Sequence, residues 1–337
     1  MKIENQTPLQ AAWLVLFDKQ GAERMVVTMK ATYLISADSQ LARAPEPDPL
    51  RGPDEFHGEP GLSSIRYEGE LGPPKPATDV ALLGSAVARE PGTTREMDVL
   101  VRVGPLRKHL RVFGNRQYGG MLGFSTISEP EAFDRIPLIY ENAFGGKDTS
   151  AKDPKRHEQE ARNPVGRGFV AKHSELKVAG MALPNIEDPE QALSRPGKRV
   201  TPQGVGFIGR DWQPRVSYAG TYDQSWMEER MPLLPLNFDE RYHNAAHPDL
   251  TANGFLDGNE PVEVIGCTLG GRVAFNLPGL QPQADVISKR GREPVGLKLN
   301  TVLVDTEAMK LHLLWKGDLN VHRRLLQLIQ VECRLCP

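Results

Sequence analysis

The chain has few cysteines: Cys267, Cys333 and Cys336 in 337 residues. So low and odd a count argues against a disulfide framework and fits a reducing compartment. Long apolar runs are missing too. No window approaches the roughly 20 residues of a membrane-spanning helix. The N-terminal stretch AAWLVLF is short, and Glu4, Asn5 and Gln6 precede it where a signal peptide would carry basic residues. These absences predict a cytoplasmic protein without stable membrane insertion. An excess of one charge is also absent, with Lys plus Arg at 41 and Asp plus Glu at 43. That balance gives no electrostatic footprint for nucleic acid or an anionic membrane.

Glycine and proline are abundant, at 32 and 28 residues. They make up about 18% of the chain against an average of roughly 12%. They are spread along it, which predicts many turns and long ordered loops and not a collagen-like or disordered tract.

The clearest regular signals have period two. Residues 24–35 (RMVVTMKATYLI) are rich in β-branched and aromatic side chains. Residues 79–88 and 95–104 read as two strands joined by a turn at Pro91-Gly92. Gly104-Pro105, Gly270-Gly271 and the DTEA segment at 305–308 each read as the turn of a hairpin. In MKLHLLWKG, Leu311, Leu313 and Trp315 share one strand face, opposite His312. Helical patterns are scarce: residues 188–195, residues 223–230, and the last residues, where Leu319, Leu325, Leu326 and Ile329 could form an apolar stripe. The predicted fold is mainly β: sandwich- or barrel-like antiparallel sheets formed by the N-terminal (1–113) and C-terminal (260–337) regions. A Gly/Pro-rich irregular middle (114–259) with few short helices lies between them. The whole reads as a single unit over 1–337 with a possible terminal helix.

Candidate chemistry is thin. In DERYHNAAHPDL, His243 and His247 have the i, i+4 spacing that can hold zinc on a helix face. Asn244 stands where a zinc protease places its glutamate, and Pro248 disfavours helix at His247. No third ligand is evident, so no metal site and no cofactor is assigned. GVGFIG at 204–209 has the letters of a dinucleotide fingerprint, but Pro214 interrupts the helix that fingerprint requires. Cys333 and Cys336 form one C-x-x-C pair, and a structural zinc site needs four ligands. Catalytic residues are therefore assigned to none.

The remaining signal lies in dense Gly/Pro/Arg/Asn/Trp segments. Asn163 before Pro164 can close an Asx-type turn, and Gly166 and Gly168 permit positive φ around Arg167. Arg66, Arg167 and Asp223 can brace loops through backbone hydrogen bonds. Alternatively Arg66, Asn163, Arg167, Trp212, Asp223 and Trp226 contribute to a partner surface, since Trp and Arg are enriched among binding hot spots.

These segments, in order, resemble the bacterial DUF2169 family. The resemblance runs from VVTMKATYLI to LLWKG and includes SSIRYEGELGPPKPATDVALLGSA, IPLIYENAFGG, NPVGRGF, LPNIEDP, WQPRVSYAGTYDQSW and LPLNFDERYHNAAHPD. It implies a non-catalytic adaptor or chaperone of type VI secretion. Such a protein loads an effector, often one with a PAAR-type domain, onto the VgrG spike. The resemblance carries over no catalytic residue, and neither histidine inherits a role from it. The competing expectation is a hydrolase, perhaps metal-dependent, acting on a cell-envelope or polymeric substrate; it draws on the histidine pair and the many carboxylates. A structural piece of the secretion apparatus is the third.

Overall fold

Period-two patterning decides most of the chain. The computed structural model describes residues 1–121 and 124–335. The N-terminal region supplies β1 (Lys2–Asn5), β2 (Gln10–Phe17), β3 (Glu23–Ile35), β4 (Asp79–Leu83), β5 (Glu96–Val103) and β6 (Leu106–Phe113). The middle adds β7 (Ile186–Glu187) and α1 (Gln224–Glu229), the one α-helix among the described residues. The C-terminal region supplies β8 (Pro261–Ile265), β9 (Arg272–Asn276), β10 (Pro282–Ser288), β11 (Gly291–Val295), β12 (Lys298–Asp305), β13 (Lys310–Asn320) and β14 (Leu328–Leu335).

Strands from the two ends interleave. The central sheet has the order β2-β3-β13-β12-β4, and Leu41–Arg43 pairs with the end of β3. A second sheet runs β7-β6-β5-β8-β9, and a third runs β1-β14-β10-β11. Most pairs are antiparallel; β4 with β12 and β1 with β14 are parallel. None of these sheets closes into a barrel. One core joins all three, drawing Met25, Val27 and Met29 from β3, Val99, Val101 and Val103 from β5, and Val286 and Val331 from the third sheet. The fold is thus mainly β with very few short helices, and its two ends pair as the pattern predicts.

Three hairpins form at the expected turns: β5–β6, β8–β9 and β12–β13. The hairpin expected across Pro91-Gly92 does not. Both flanking strands exist, but β4 pairs with β12, and β5 with β6 and β8. Burial gives the reason. All five residues of β4 are buried, so it needs cover on both faces. In β5 buried residues alternate with more exposed ones, which suits a sheet with one solvated face.

The expected terminal helix is instead β14. Leu326 is 98% exposed and Ile329 50%, whereas Val331 and Cys333 are fully buried. Residues 188–195 form turns and bends, not a helix. Only the candidate at 223–230 becomes an α-helix, α1; the last candidate keeps one 3-10 turn, Leu325–Gln327, before β14. Cys333 packs in the core, where burial pushes its thiol up to about 11; burial likewise pushes Cys267 up to about 12. Cys336 lies outside the described residues.

The central sheet has two unlike faces. Odd residues of β3 and β13 enter the apolar core, including Leu311, Leu313 and Trp315. The opposite face carries buried Thr28, Lys30, Thr32, His312 and Lys316. The chain over residues 45–78 covers it. Lys30 Nζ donates to Glu70 (2.9 Å) and to the Pro49 carbonyl (3.0 Å), and the Asp48 N–H donates to Thr32 Oγ1 (3.1 Å).

Candidate functional site

The covering strap ends in Pro73-Pro74-Lys75-Pro76. Three prolines here can present apolar rings without backbone donors. The lysine between them points inward. Its Nζ meets Asp79 at 2.7 Å and Thr301 at 3.1 Å, and also pairs with Glu68. Burial opposes the Lys75 charge, but Asp79 and Glu68 outweigh it and hold the pKa above its usual value. The strap is thereby pinned to the sheet while its prolines face outward.

Those prolines form the floor of a cleft of about 860 Å³ at the β2 edge of the central sheet. Leu16, Phe17 and Val26 of the β2–β3 hairpin form one side. Tyr222, Leu233, Leu234 and Phe238 of the irregular middle form the other. Each part alone is an ordinary surface; their meeting makes the concavity.

Local chemistry holds the far wall. Asp223 caps α1, its Oδ1 accepting the Trp226 N–H at 2.9 Å. The Trp226 indole N–H donates to the Leu233 carbonyl at 2.8 Å, and its ring meets Tyr222 edge-on at 4.7 Å. Arg230 reaches the carbonyls of Lys19 (2.6 Å) and Leu234 (2.8 Å). Lys19 in turn donates to the Phe238 carbonyl at 3.1 Å. The hairpin tip and the middle region are therefore tied together across the mouth.

The charges at the rim are engaged within the protein, some as ion pairs and Asp18 and Lys19 through backbone groups. Arg24 Nε lies 2.6 Å from Asp318 Oδ2. Glu240 lies 3.2 Å from His243, whose hydrogen bond lowers the Glu240 pKa. Asp18 accepts the N–H groups of Gln20 and Ala22 at 2.9 and 2.8 Å. What remains to contact a ligand is mostly apolar, including Phe17, which is 65% exposed.

A second, smaller cleft of about 300 Å³ lies elsewhere, lined in part by Tyr140, Gln203, Pro214 and His247. Here Lys108 Nζ meets Asp249 at 2.6 Å and lies 3.5 Å from both ring nitrogens of His247. Burial, with Lys108 beside it, holds the imidazole pKa down at about 4. Its Nδ1 accepts the Asp249 N–H (3.2 Å), and its Nε2 lies 3.4 Å from the Pro202 carbonyl. Both nitrogens are thus engaged: Nδ1 caps the turn at Pro248–Leu250 and Nε2 faces Pro202.

The two histidines of DERYHNAAHPDL therefore do not share a face. His243 closes a short 3-10 turn, Asn244 is extended, and each imidazole lines a different cleft. No cluster of three or more potential metal ligands occurs among the described residues.

The six residues expected at a partner surface do not form one surface. Asn163 is fully buried and donates to the Tyr140 and Phe144 carbonyls at 2.8 and 3.0 Å. Trp212 is buried edge-on against Tyr140. Arg167 donates to the Glu141 carbonyl (2.8 Å) and to the side chains of Asn142 (2.6 Å) and Asn185 (3.2 Å). These three brace loops. Gly168 beside them has a φ of +88°, and a Cβ on Gly166 would come within 2.4 Å of Asn163 Nδ2. Arg66 is half-exposed, 3.6 Å from Glu307 and away from the cleft lining. Only Asp223 and Trp226 belong to the cleft, as supports of its wall. The residues that face it were missed. A usable signal was present in AAWLVLF, an apolar strand with no charge and no proline.

No curated protein and no solved structure matches this chain. One family model does, over residues 20–316: that of an uncharacterized protein conserved in bacteria, DUF2169. The match takes in β3, β4, β12 and most of β13, the second cleft and the whole irregular middle, while β2 and the first cleft's residues 16–19 and Asp318 lie outside it; the chain belongs to the DUF2169 family.

Proposed function

We propose that this chain is a cytoplasmic, non-catalytic adaptor of type VI secretion. It holds an apolar segment of an effector in the cleft beside β2 and delivers it, often with a PAAR-type domain, to the VgrG spike. The observation that carries this reading is the cleft itself: large, mostly apolar, and rimmed by charges already engaged in ion pairs or with backbone groups. Such a site recognises shape and apolar surface. Membership of the family supports the secretion context that the resemblance implies. An effector segment destined for a membrane or a spike would need this kind of cover beforehand. Co-expression with the effector and spike genes beside it, followed by affinity purification and size-exclusion chromatography, tests the reading. A stable complex is expected; its absence with every such partner defeats the proposal.

The hydrolase reading would place its chemistry in the second cleft, where Lys108, His247 and Asp249 meet. The bonds to both His247 nitrogens weigh against a free base there. Metal analysis of the purified protein separates the readings: stoichiometric zinc that is lost on His243→Ala or His247→Ala favours the hydrolase.

A further inference from the structure

We propose that β2 is an acceptor edge. An extended, uncharged apolar segment of the bound effector adds to the central sheet as a strand beside β2 and lays alternate side chains into the cleft. This inference rests on the adaptor reading and specifies how the cargo is held.

The phase of the ladder shows which groups are free. β3 pairs with β13 in an unbroken register. At its two ends the Ile35 N–H donates to Met309 (2.8 Å) and the Val321 N–H to Glu23 (2.9 Å). The odd residues of β3 therefore bond β13, and the even ones turn to β2. The Asp18 N–H to Ala22 carbonyl bond, at 3.0 Å, sets the same phase from the hairpin tip. The bonded pairs are Gln10↔Lys30, Ala12↔Thr28, Leu14↔Val26 and Leu16↔Arg24. The N–H and C=O groups of Ala11, Trp13, Val15 and Phe17 point outward. Among the described residues they make no hydrogen bond.

The other sheet edges are blunted in the usual ways. β1 has four residues and carries Lys2 and Glu4; β7 has two. β11 contains Arg292, Glu293 and Pro294, and β9 has five residues beginning with Arg272. β4 is bridged by outside chain, its Leu82 N–H donating to Val205 at 2.7 Å. β2 has eight residues, QAAWLVLF, with no charge, proline or bulge. Such an edge is a hazard unless something uses it.

The chemistry of the cleft selects the occupant. Arg24, Glu240 and His243 are ion-paired at the rim and Asp18 and Lys19 are bonded to backbone groups, so most of the lining that faces an entering side chain is apolar. An extended backbone supplies donors and acceptors at the spacing β2 offers, and its apolar side chains fill the space over Leu16, Val26 and the prolines. A second copy of this chain fits worse. Two-fold antiparallel pairing of β2 with itself through its outward groups sets Ala11 and Ala12 of one copy against Phe17 and Leu16 of the other. Such small side chains leave the cleft unfilled.

Hydrogen–deuterium exchange on the whole chain, alone and in the complex co-purified with the adjacent effector and spike proteins, tests this. The amides of Ala11, Trp13, Val15 and Phe17 should exchange at least about tenfold more slowly in the complex. If the complex forms and these amides exchange unchanged, strand addition is wrong while the adaptor reading stands. If no complex forms, the adaptor reading fails and this inference with it. If they are protected in the isolated protein, increasingly with concentration, a second copy occupies the edge and the assignment to an effector is overturned. Ala11→Pro removes one outward donor and no bond to β3, and should weaken the complex about tenfold at unchanged melting temperature. The exchange result decides the matter if that variant misfolds.

Discussion

Lys19 and Phe238 stand 219 positions apart in the chain and are joined by one hydrogen bond of 3.1 Å across the cleft mouth. Arg230 completes the clasp by donating to the Lys19 carbonyl at 2.6 Å. The cleft is therefore a property of the tertiary fold, held by long-range bonds to backbone oxygens.

Arg230→Ala removes two such bonds, to Lys19 and Leu234. We expect a loss of about 2 kcal/mol or more in urea melts, since hydrogen bonds from charged groups contribute more than neutral ones. Effector affinity should fall with it. Unchanged stability and affinity would show that the clasp is incidental.

Phe17→Asp tests the cleft without disturbing the core. Phe17 is 65% exposed, so stability should shift by roughly 0.5 kcal/mol or less. The new carboxylate sits against apolar cargo, and complex formation should drop by at least about tenfold in a quantitative pull-down. Retained binding would move the cargo site elsewhere.

Arg167 and Trp226 should now separate. Arg167→Ala strips three bonds from a buried loop junction and should cost about 3 kcal/mol in chemical denaturation, whatever it does to binding. Trp226→Phe keeps a ring beside Tyr222 but orphans the Leu233 carbonyl. It should cost about 1 kcal/mol and weaken effector binding. The reverse pattern, with Arg167→Ala stable and binding-defective, would restore Arg167 to a contact role.

Lys316 gives a pH signature. Burial lowers its pKa from 10.5 to about 8, with only the Gly72 and Pro73 carbonyls at 3.4 and 3.5 Å as hydrogen-bond partners. Between about pH 8 and 10.5 the unfolded chain keeps this proton and the folded chain releases it, so this residue's contribution rises with pH across that window. Below pH 8 the fold carries a disfavoured buried charge. Lys316→Met should therefore be more stable than the parent by about 2–3 kcal/mol at pH 7, and the gap should close towards pH 10.5. A gap independent of pH in thermal or urea melts would refute the assignment.

The strands were legible where their information is local. Gly104-Pro105 and Gly270-Gly271 announce their hairpins, and alternation places Leu311, Leu313 and Trp315 on one face. Pairing over distance was not. Nothing near Pro91-Gly92 reveals that β4 belongs beside β12. The stretch LQLIQVECRL satisfies a helical stripe and a strand alternation equally well, and its pairing with β1 and β10 decides for the strand. The cleft was hidden for the same reason. Its walls come from residues near 16, 74 and 234, and its signal is the absence of charge on β2 rather than any motif.

The interleaving of the two ends also bears on synthesis. β3 has no partner on its inner edge until Lys310–Asn320 has left the ribosome, almost the whole length of the chain later. β2 and β3 must wait meanwhile as an isolated hairpin with an apolar face, which is marginal in water. Contacts this distant in sequence slow folding and lengthen the exposure of sticky edges. A protein read here as a guardian of another chain's apolar segment thus depends, while nascent, on protection of its own.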